Sequence, residues 1–288
     1  MPSNRKKPLK AQGSRLKAAA SALSLQPSAS SRKSLVVTID GPAGVGKSTA
    51  AKLLAKQLGL LYLDTGATYR ALAYAALRHG LHPLADARRL AELARRLPLR
   101  LREAGRGQLR FLLNGVDITT AIRTEEVSEA AAQISQHPGV RAAMVRRQRE
   151  LAARGYAKPE PGRVAGVLRL GSGRRPEWNR MAGVVAEGRD TGSVVFPRAA
   201  YKFFLDADPA VRARRRQGEL SRLYTSSPPL VQVQEQLRFR DRLDRNRRVG
   251  PLVKPRGAIE LDTTRLTAEQ VVRAMMSHMA AAGPWPTR

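Results

Sequence analysis

Ser34-Leu-Val-Val-Thr-Ile-Asp-Gly-Pro-Ala-Gly-Val-Gly-Lys-Ser-Thr49 decides the fold of this chain. A β-branched apolar run from Leu35 to Ile39 predicts a buried strand. Gly41, four intervening residues and Gly46-Lys47-Ser48 then form a phosphate-binding loop, and an Ala/Leu/Lys pattern from Lys47 to Leu58 predicts a helix closed by Gly59. Glycines let such a loop turn its backbone N–H groups onto a chain of phosphates. Lys47 supplies a point charge, Ser48 a hydroxyl suited to Mg²⁺, and the helix N-terminus the positive end of its dipole. Strand, loop and helix in this order imply a nucleoside triphosphate site.

Composition narrows the remainder. The 288 residues suffice for a full hydrophobic core, and the absence of cysteine excludes disulfides and thiol chemistry and agrees with a reducing, cytoplasmic setting. No apolar stretch is long enough for a membrane helix, so no membrane partner is expected. The net charge of +29 is concentrated in part at residues 1–34, with eight Lys/Arg and no acid, and at 154–182, with seven Lys/Arg against Glu160 and Glu177. Aromatic residues make up only 5 % of the chain, which argues against a stacking platform for single strands. The tail then supports weak, salt-sensitive nucleic-acid binding at most. Residues 1–33 read as a disordered basic tail; their lack of acids also fits an organellar transit peptide, which would change the compartment.

Further strands are expected at 60–63, 184–186, 201–205 and 259–261, and helices at 67–78, 84–96, 124–136, 140–153, 209–216, 230–245 and 268–281. Short strand-like runs at 99–101, 109–113 and 116–118, broken by Gly105, Gly107 and Asn114-Gly115, predict a small antiparallel sheet. Alternating strands and helices imply an α/β fold, a parallel sheet covered on both faces. Residues 154–182, rich in Gly, Pro and Arg, read as an irregular insertion, and 283–288 as a C-terminal tail.

Two other segments separate this chain from other phosphate-loop proteins: Asp64-Thr-Gly-Ala-Thr-Tyr-Arg70, and the arginine-rich Arg240-Asp-Arg-Leu-Asp244-Arg-Asn-Arg-Arg248. With Glu187-Gly-Arg-Asp-Thr-Gly-Ser-Val-Val-Phe-Pro197 and Phe204-Leu-Asp-Ala-Asp208 they stand in an order that closely resembles cytidylate kinases of the bacterial type, over residues 35–282. The resemblance implies a P-loop nucleoside-monophosphate-kinase fold within 34–282, with an NMP-binding arm at about 97–153 and a short lid at about 217–247. It implies transfer of the ATP γ-phosphate to CMP or dCMP with Mg²⁺, by a monomer. The alternatives are a P-loop kinase acting on UMP or AMP, and a catalytically weak nucleotide- or RNA-binding protein.

The same resemblance implies residue roles. Gly41, Pro42, Ala43, Gly44, Val45, Gly46, Lys47, Ser48 and Thr49 would cradle ATP, with Lys47 on the transferring phosphate and Ser48 on Mg²⁺. Arg70 and Arg189 would grip the CMP phosphate, and Arg141 and Asp190 would read the base. Arg240 and Asp244 would hold the ribose, and Arg247 would bridge donor and acceptor phosphates. Lys47, Arg189 and Arg247 are the expected catalytic residues. Among the remaining arginines, Arg95, Arg96, Arg146 and Arg147 read as surface charge, and one or two of the run Arg212, Arg214, Arg215 and Arg216 could face ATP. Asp206 suits either a turn or a place near Mg²⁺. One departure stands out: before Gln133 the family commonly has a serine that contacts the base, and here the residue is Ala132, a lost hydrogen bond worth about 1 kcal/mol.

Overall fold

The computed structural model describes residues 34–103, 109–155, 183–223 and 228–282. The expected tails at 1–33 and 283–288, and all but the start of the 154–182 insertion, lie outside the described residues.

Five parallel strands form the central sheet: β1 (Leu35–Asp40), β2 (Leu61–Asp64), β6 (Gly183–Gly188), β7 (Tyr201–Asp206) and β8 (Ile259–Asp262), in the order β2-β6-β1-β7-β8. A separate antiparallel sheet joins β3 (Leu99–Glu103), β4 (Leu109–Leu113) and β5 (Val116–Asp117), as the short runs predicted. The helices are α1 (Lys47–Leu58), α2 (Thr65–Arg78), α3 (Ala87–Arg96), α4 (Glu125–Ile134), α5 (Pro138–Gly155), α6 (Pro209–Leu223), α7 (Leu230–Arg245) and α8 (Ala268–Ala281).

Strand periodicity divides the interior into two apolar layers. On one face Tyr62, Val185, Phe203 and Leu205 pack with Leu54 and Leu58 of α1 and Val272 and Met275 of α8. The alternate residues Leu63, Val184 and Ala186 face Ala71 and Leu72 of α2, Ile134 of α4 and Met144 of α5. Leu97, which follows α3, and Leu99 and Phe111 of the small sheet join this second layer.

Several boundaries moved, each for a local reason. The helix expected from Leu84 starts at Ala87, because the His82 ring and the Asp86 carboxylate take the N–H groups of Leu84, Ala85 and His82 in a turn of their own. Helix α2 starts earlier than expected, since Asp64 accepts from the Ala67 N–H and caps it. Strand β6 runs past Ala186 to Gly188, which carries Glu187 to the carboxyl edge of the sheet. Directly after it, Thr191–Val195 forms one π-helical turn that no periodicity announced. Helix α6 continues beyond Arg216 to Leu223 and packs on α7 through Ala213, Leu220, Val233 and Leu237. Arg147, expected as surface charge, is half-buried, donating to the Leu97 carbonyl and pairing with Glu150 at 3.2 Å.

Candidate functional site

In an open parallel sheet, ligands gather beyond the carboxyl ends of the strands. Here those ends deliver the glycine loop after β1, Asp64 as the last residue of β2, and Glu187 to Asp190 across the end of β6 into one cleft, closed on its far side by α4, α6 and α7. Among the described residues, no helix is long and apolar enough to cross a membrane.

The loop is shaped by its glycines. Gly41 adopts φ +146°, and a Cβ there would lie 2.1 Å from the Leu205 carbonyl oxygen. Gly44, at φ +79°, passes the Arg212 backbone so closely that a Cβ would stand 2.8 Å from its oxygen. Pro42, Ala43 and Val45 are buried, while Ser48 and Thr49 open onto the cleft. Lys47 is buried, its Nζ donating to the Pro42 carbonyl at 2.5 Å. Burial, then the nearby Arg189 charge, lowers its pKa to about 7 against the pull of Glu187 and Asp40.

Glu187, quoted above within a motif but given no role, proves to be a junction. Its Oε1 accepts from Ser48 Oγ at 2.6 Å and from the Tyr62 hydroxyl at 3.1 Å, and its carbonyl accepts from Thr65 Oγ1 at 2.7 Å. Burial and the nearby Asp64 raise its pKa. Asp40 is a second group that sequence reasoning missed, though it directly precedes Gly41. Fully buried, it accepts from the Thr191 N–H at 2.7 Å, Thr191 Oγ1 at 2.8 Å and the Gly192 N–H at 2.7 Å. The strand that leads into the phosphate loop is thereby tied to the turn after Asp190. Burial raises the Asp40 pKa to about 6, despite those donors.

The predicted arginines converge. Arg70 donates to Asp64 at 2.9 Å, and Asp64 has a lowered pKa because Arg70 and the Ala67 N–H outweigh the burial that would raise it. Arg189 donates from Nε to Asp244 at 2.9 Å, and Arg247 pairs with the other Asp244 oxygen at 3.2 Å. Burial and these same arginines, burial raising and the arginines lowering, leave the Asp244 pKa below its ordinary value. Arg240 lines the same cleft; burial, then Arg189, lowers its pKa to about 10. Among the described residues, Nε and one Nη of Arg247 are buried without a hydrogen-bond partner.

Arg141 is buried to 1 % exposure and reaches the site through Asp190, with which it forms an ion pair. Its guanidinium also lies 5.6 Å from the centroid of the Tyr69 ring and donates to the Ser135 carbonyl at 3.4 Å. Gly250, at φ +61°, passes so close that a Cβ would lie 2.4 Å from Asp190 Oδ2 and 2.5 Å from Arg141 Nη2.

The four arginines of the run on α6 part ways, Arg214 being exposed outside the cleft. Arg212 donates to Asp241 at 2.5 Å and to the Ala43 carbonyl at 3.2 Å, clasping the loop to α7. Arg215 donates to the Thr263 carbonyl at 2.6 Å, and only Arg216 lines the cleft. Asp206 accepts the Ala207 N–H at 2.9 Å and the Thr263 N–H through its carbonyl, a turn arrangement.

A family model described as cytidylate kinase matches residues 37–163 and 173–281, passing over a short stretch inside the expected insertion. The chain is 41% identical over 246 residues to a cytidylate kinase of Geobacillus sp. (strain WCH70), covering 85% of this chain and 96% of that one. It is 42% identical over 247 residues to a cytidylate kinase of Solibacter usitatus (strain Ellin6076), covering 85% and 92%. It also matches a bifunctional pantoate ligase/cytidylate kinase of Prochlorococcus marinus (strain MIT 9313) at 36% identity, covering 88% of this chain and 45% of that one. The chain belongs to the cytidylate kinase family.

Proposed function

We propose that this protein transfers the γ-phosphoryl group of ATP to CMP and dCMP, giving ADP and CDP or dCDP. The observation that carries the reading is the convergence in one cleft of the glycine loop and Lys47 with Arg70, Arg189, Arg240 and Arg247, beside the Arg141–Asp190 pair. Such a density of buried and half-buried positive charge favours an anionic ligand. The lowered pKa of Lys47 and of Arg240, caused by burial and by the Arg189 charge, shows how closely the cations are gathered, an arrangement that suits phosphates.

The reaction breaks the bond from the γ-phosphorus to the β,γ-bridging oxygen and forms one to an oxygen of the CMP phosphate. The acceptor is already anionic, so no base is needed, and catalysis reduces to alignment and charge neutralisation. The loop N–H groups and Lys47 hold the donor phosphates. Arg70 and Arg189 hold the acceptor phosphate, each pre-aimed by a carboxylate, Asp64 for the first and Asp244 for the second. Arg247, on the other oxygen of Asp244, lines the same cleft and brings its charge to the group in transit. Arg240 completes the charge, and Asp244 with it borders the space for the ribose. Ser48 Oγ and the Glu187 carboxylate beside it form an oxygen-rich corner that fits Mg²⁺, which when bound supplies charge neutralisation on the phosphates. Asp190 reads the base: a carboxylate accepts from the cytosine 4-amino group and opposes the 4-oxo group of uracil.

Steady-state assays of the full chain with ATP, Mg²⁺ and a panel of CMP, dCMP, UMP and AMP test the reading. CMP and dCMP are expected to lead in kcat/KM; a higher value for UMP or AMP overturns the substrate assignment.

A further inference from the structure

The hydroxyl missing at position 132 is present one helical turn further on. Ser135 ends α4, is 5 % exposed, and lines the cleft together with Ala132 and Asp190. Residues three apart on a helix share a face, so Ala132 and Ser135 look into the same space. The Arg141 guanidinium links this helix end to the base-reading acid, donating to the Ser135 carbonyl from one Nη and to Asp190 from the other. That guanidinium bridges the Ser135 backbone and the Asp190 carboxylate.

The state of the hydroxyl matters as much as its place. Ser135 Oγ donates its single proton to the Ala132 carbonyl at 2.7 Å, an oxygen that also takes Gln136 Nε2 at 3.3 Å. A hydroxyl has one proton and two lone pairs, so with the proton committed it meets a ligand as an acceptor.

We propose that Ser135 is a specificity-determining residue that accepts a hydrogen bond from the 4-amino group of the cytosine base. This rests on the CMP reading above. The amino group carries two hydrogens; Asp190 takes one and Ser135 the other. A 4-oxo pyrimidine would place its own lone pairs against two acceptors: the carboxylate has no proton, and the hydroxyl could supply its own only by giving up the bond to the Ala132 carbonyl. The alanine at 132 is thus compensated from within the same helix, and the site rejects uracil with a pair of acceptors.

The test uses the full chain with CMP, UMP and the 4-unsubstituted pyrimidin-2-one ribonucleoside monophosphate, comparing wild type with Ser135→Ala. Loss of one such bond is expected to raise KM for CMP about fivefold, with kcat and KM for ATP within about twofold of wild type. The preference for CMP over both other substrates should fall by the same factor, whereas loss of a purely structural helix end would weaken all three alike. Ser135→Cys is nearly isosteric and a weaker acceptor, so it gives the same shift in smaller measure even where alanine impairs folding. Unchanged preference for CMP in these variants overturns the role of Ser135 while leaving the proposed function standing. Failure of the wild type to phosphorylate CMP overturns both.

Discussion

Gly250 shows how one residue shapes the end of the cleft proposed to read the base. Its positive φ is open to glycine, and the nearest atoms to a Cβ would be the paired oxygen and nitrogen of Asp190 and Arg141. Gly250→Ala is expected to spread that pair and raise KM for CMP at least tenfold while KM for ATP changes little, because the glycine loop lies elsewhere in the cleft. Kinetics with each substrate varied in turn checks this. At the donor end, Lys47→Ala should lower kcat by about 10²- to 10³-fold with the fold intact, the usual effect of removing one charge-stabilising donor. Activity retained in that variant contradicts the phosphoryl-transfer mechanism. Arg70, Arg189 and Asp190 were readable as motif positions. Gly250 was not, since its requirement comes from a contact with residues far away in sequence, a contact that exists only after folding.

Helix α7 illustrates the next scale. Its buried stripe runs Val233, Leu237, Asp241 and Asp244, so helical periodicity turns two carboxylates inward together with the apolar residues. Asp241 meets Arg212 of α6 and the Ala43 N–H of the loop, and Asp244 meets Arg189 and Arg247. Removing one partner of a buried pair leaves an uncompensated charge, so Arg212→Ala is expected to cost about 3 kcal/mol of stability and to raise KM for ATP. Denaturant unfolding together with kinetics measures both. Strand β1 makes the corresponding link on the other side through Asp40. With its pKa raised to about 6, above the ordinary carboxylate range, the folded state binds a proton that the unfolded state has already lost in the interval between. Stability drawn from Asp40 therefore grows as pH falls through 6 and is absent at neutral pH, where the ionised group remains buried. The stability difference between wild type and Asp40→Asn should be larger at pH 5 than at pH 7 by about 1 kcal/mol. A difference that is the same at both values would place the titration of Asp40 outside this range.

At the scale of the whole molecule, the basic tail and the described domain can be tested apart. Residues 1–34 carry eight Lys/Arg without an acid. Deleting 1–33 is expected to leave CMP kinetics unchanged and to weaken single-stranded RNA binding, flattening the salt dependence by up to about five or six units of slope. Filter binding at several salt concentrations would register this, and an unchanged slope would assign the binding to the folded domain. Most of the architecture followed from sequence, because hydrophobic period and glycine placement are local signals. The alternation of strands and helices, the glycine loop, and the motif arginines all depend on residues close together in the chain. What only the tertiary structure decided is how distant carboxylates are shared: Glu187 between Ser48 and Tyr62, Asp244 between Arg189 and Arg247, and Asp40 across to Thr191 and Gly192. It also decided that Ser135 stands beside Ala132 in the cleft. Burial makes each of these groups choose a partner, and the partner is set by strand order and helix packing, which carry Glu187 to Ser48 and Tyr62, and Asp40 to Thr191 and Gly192, across more than a hundred positions.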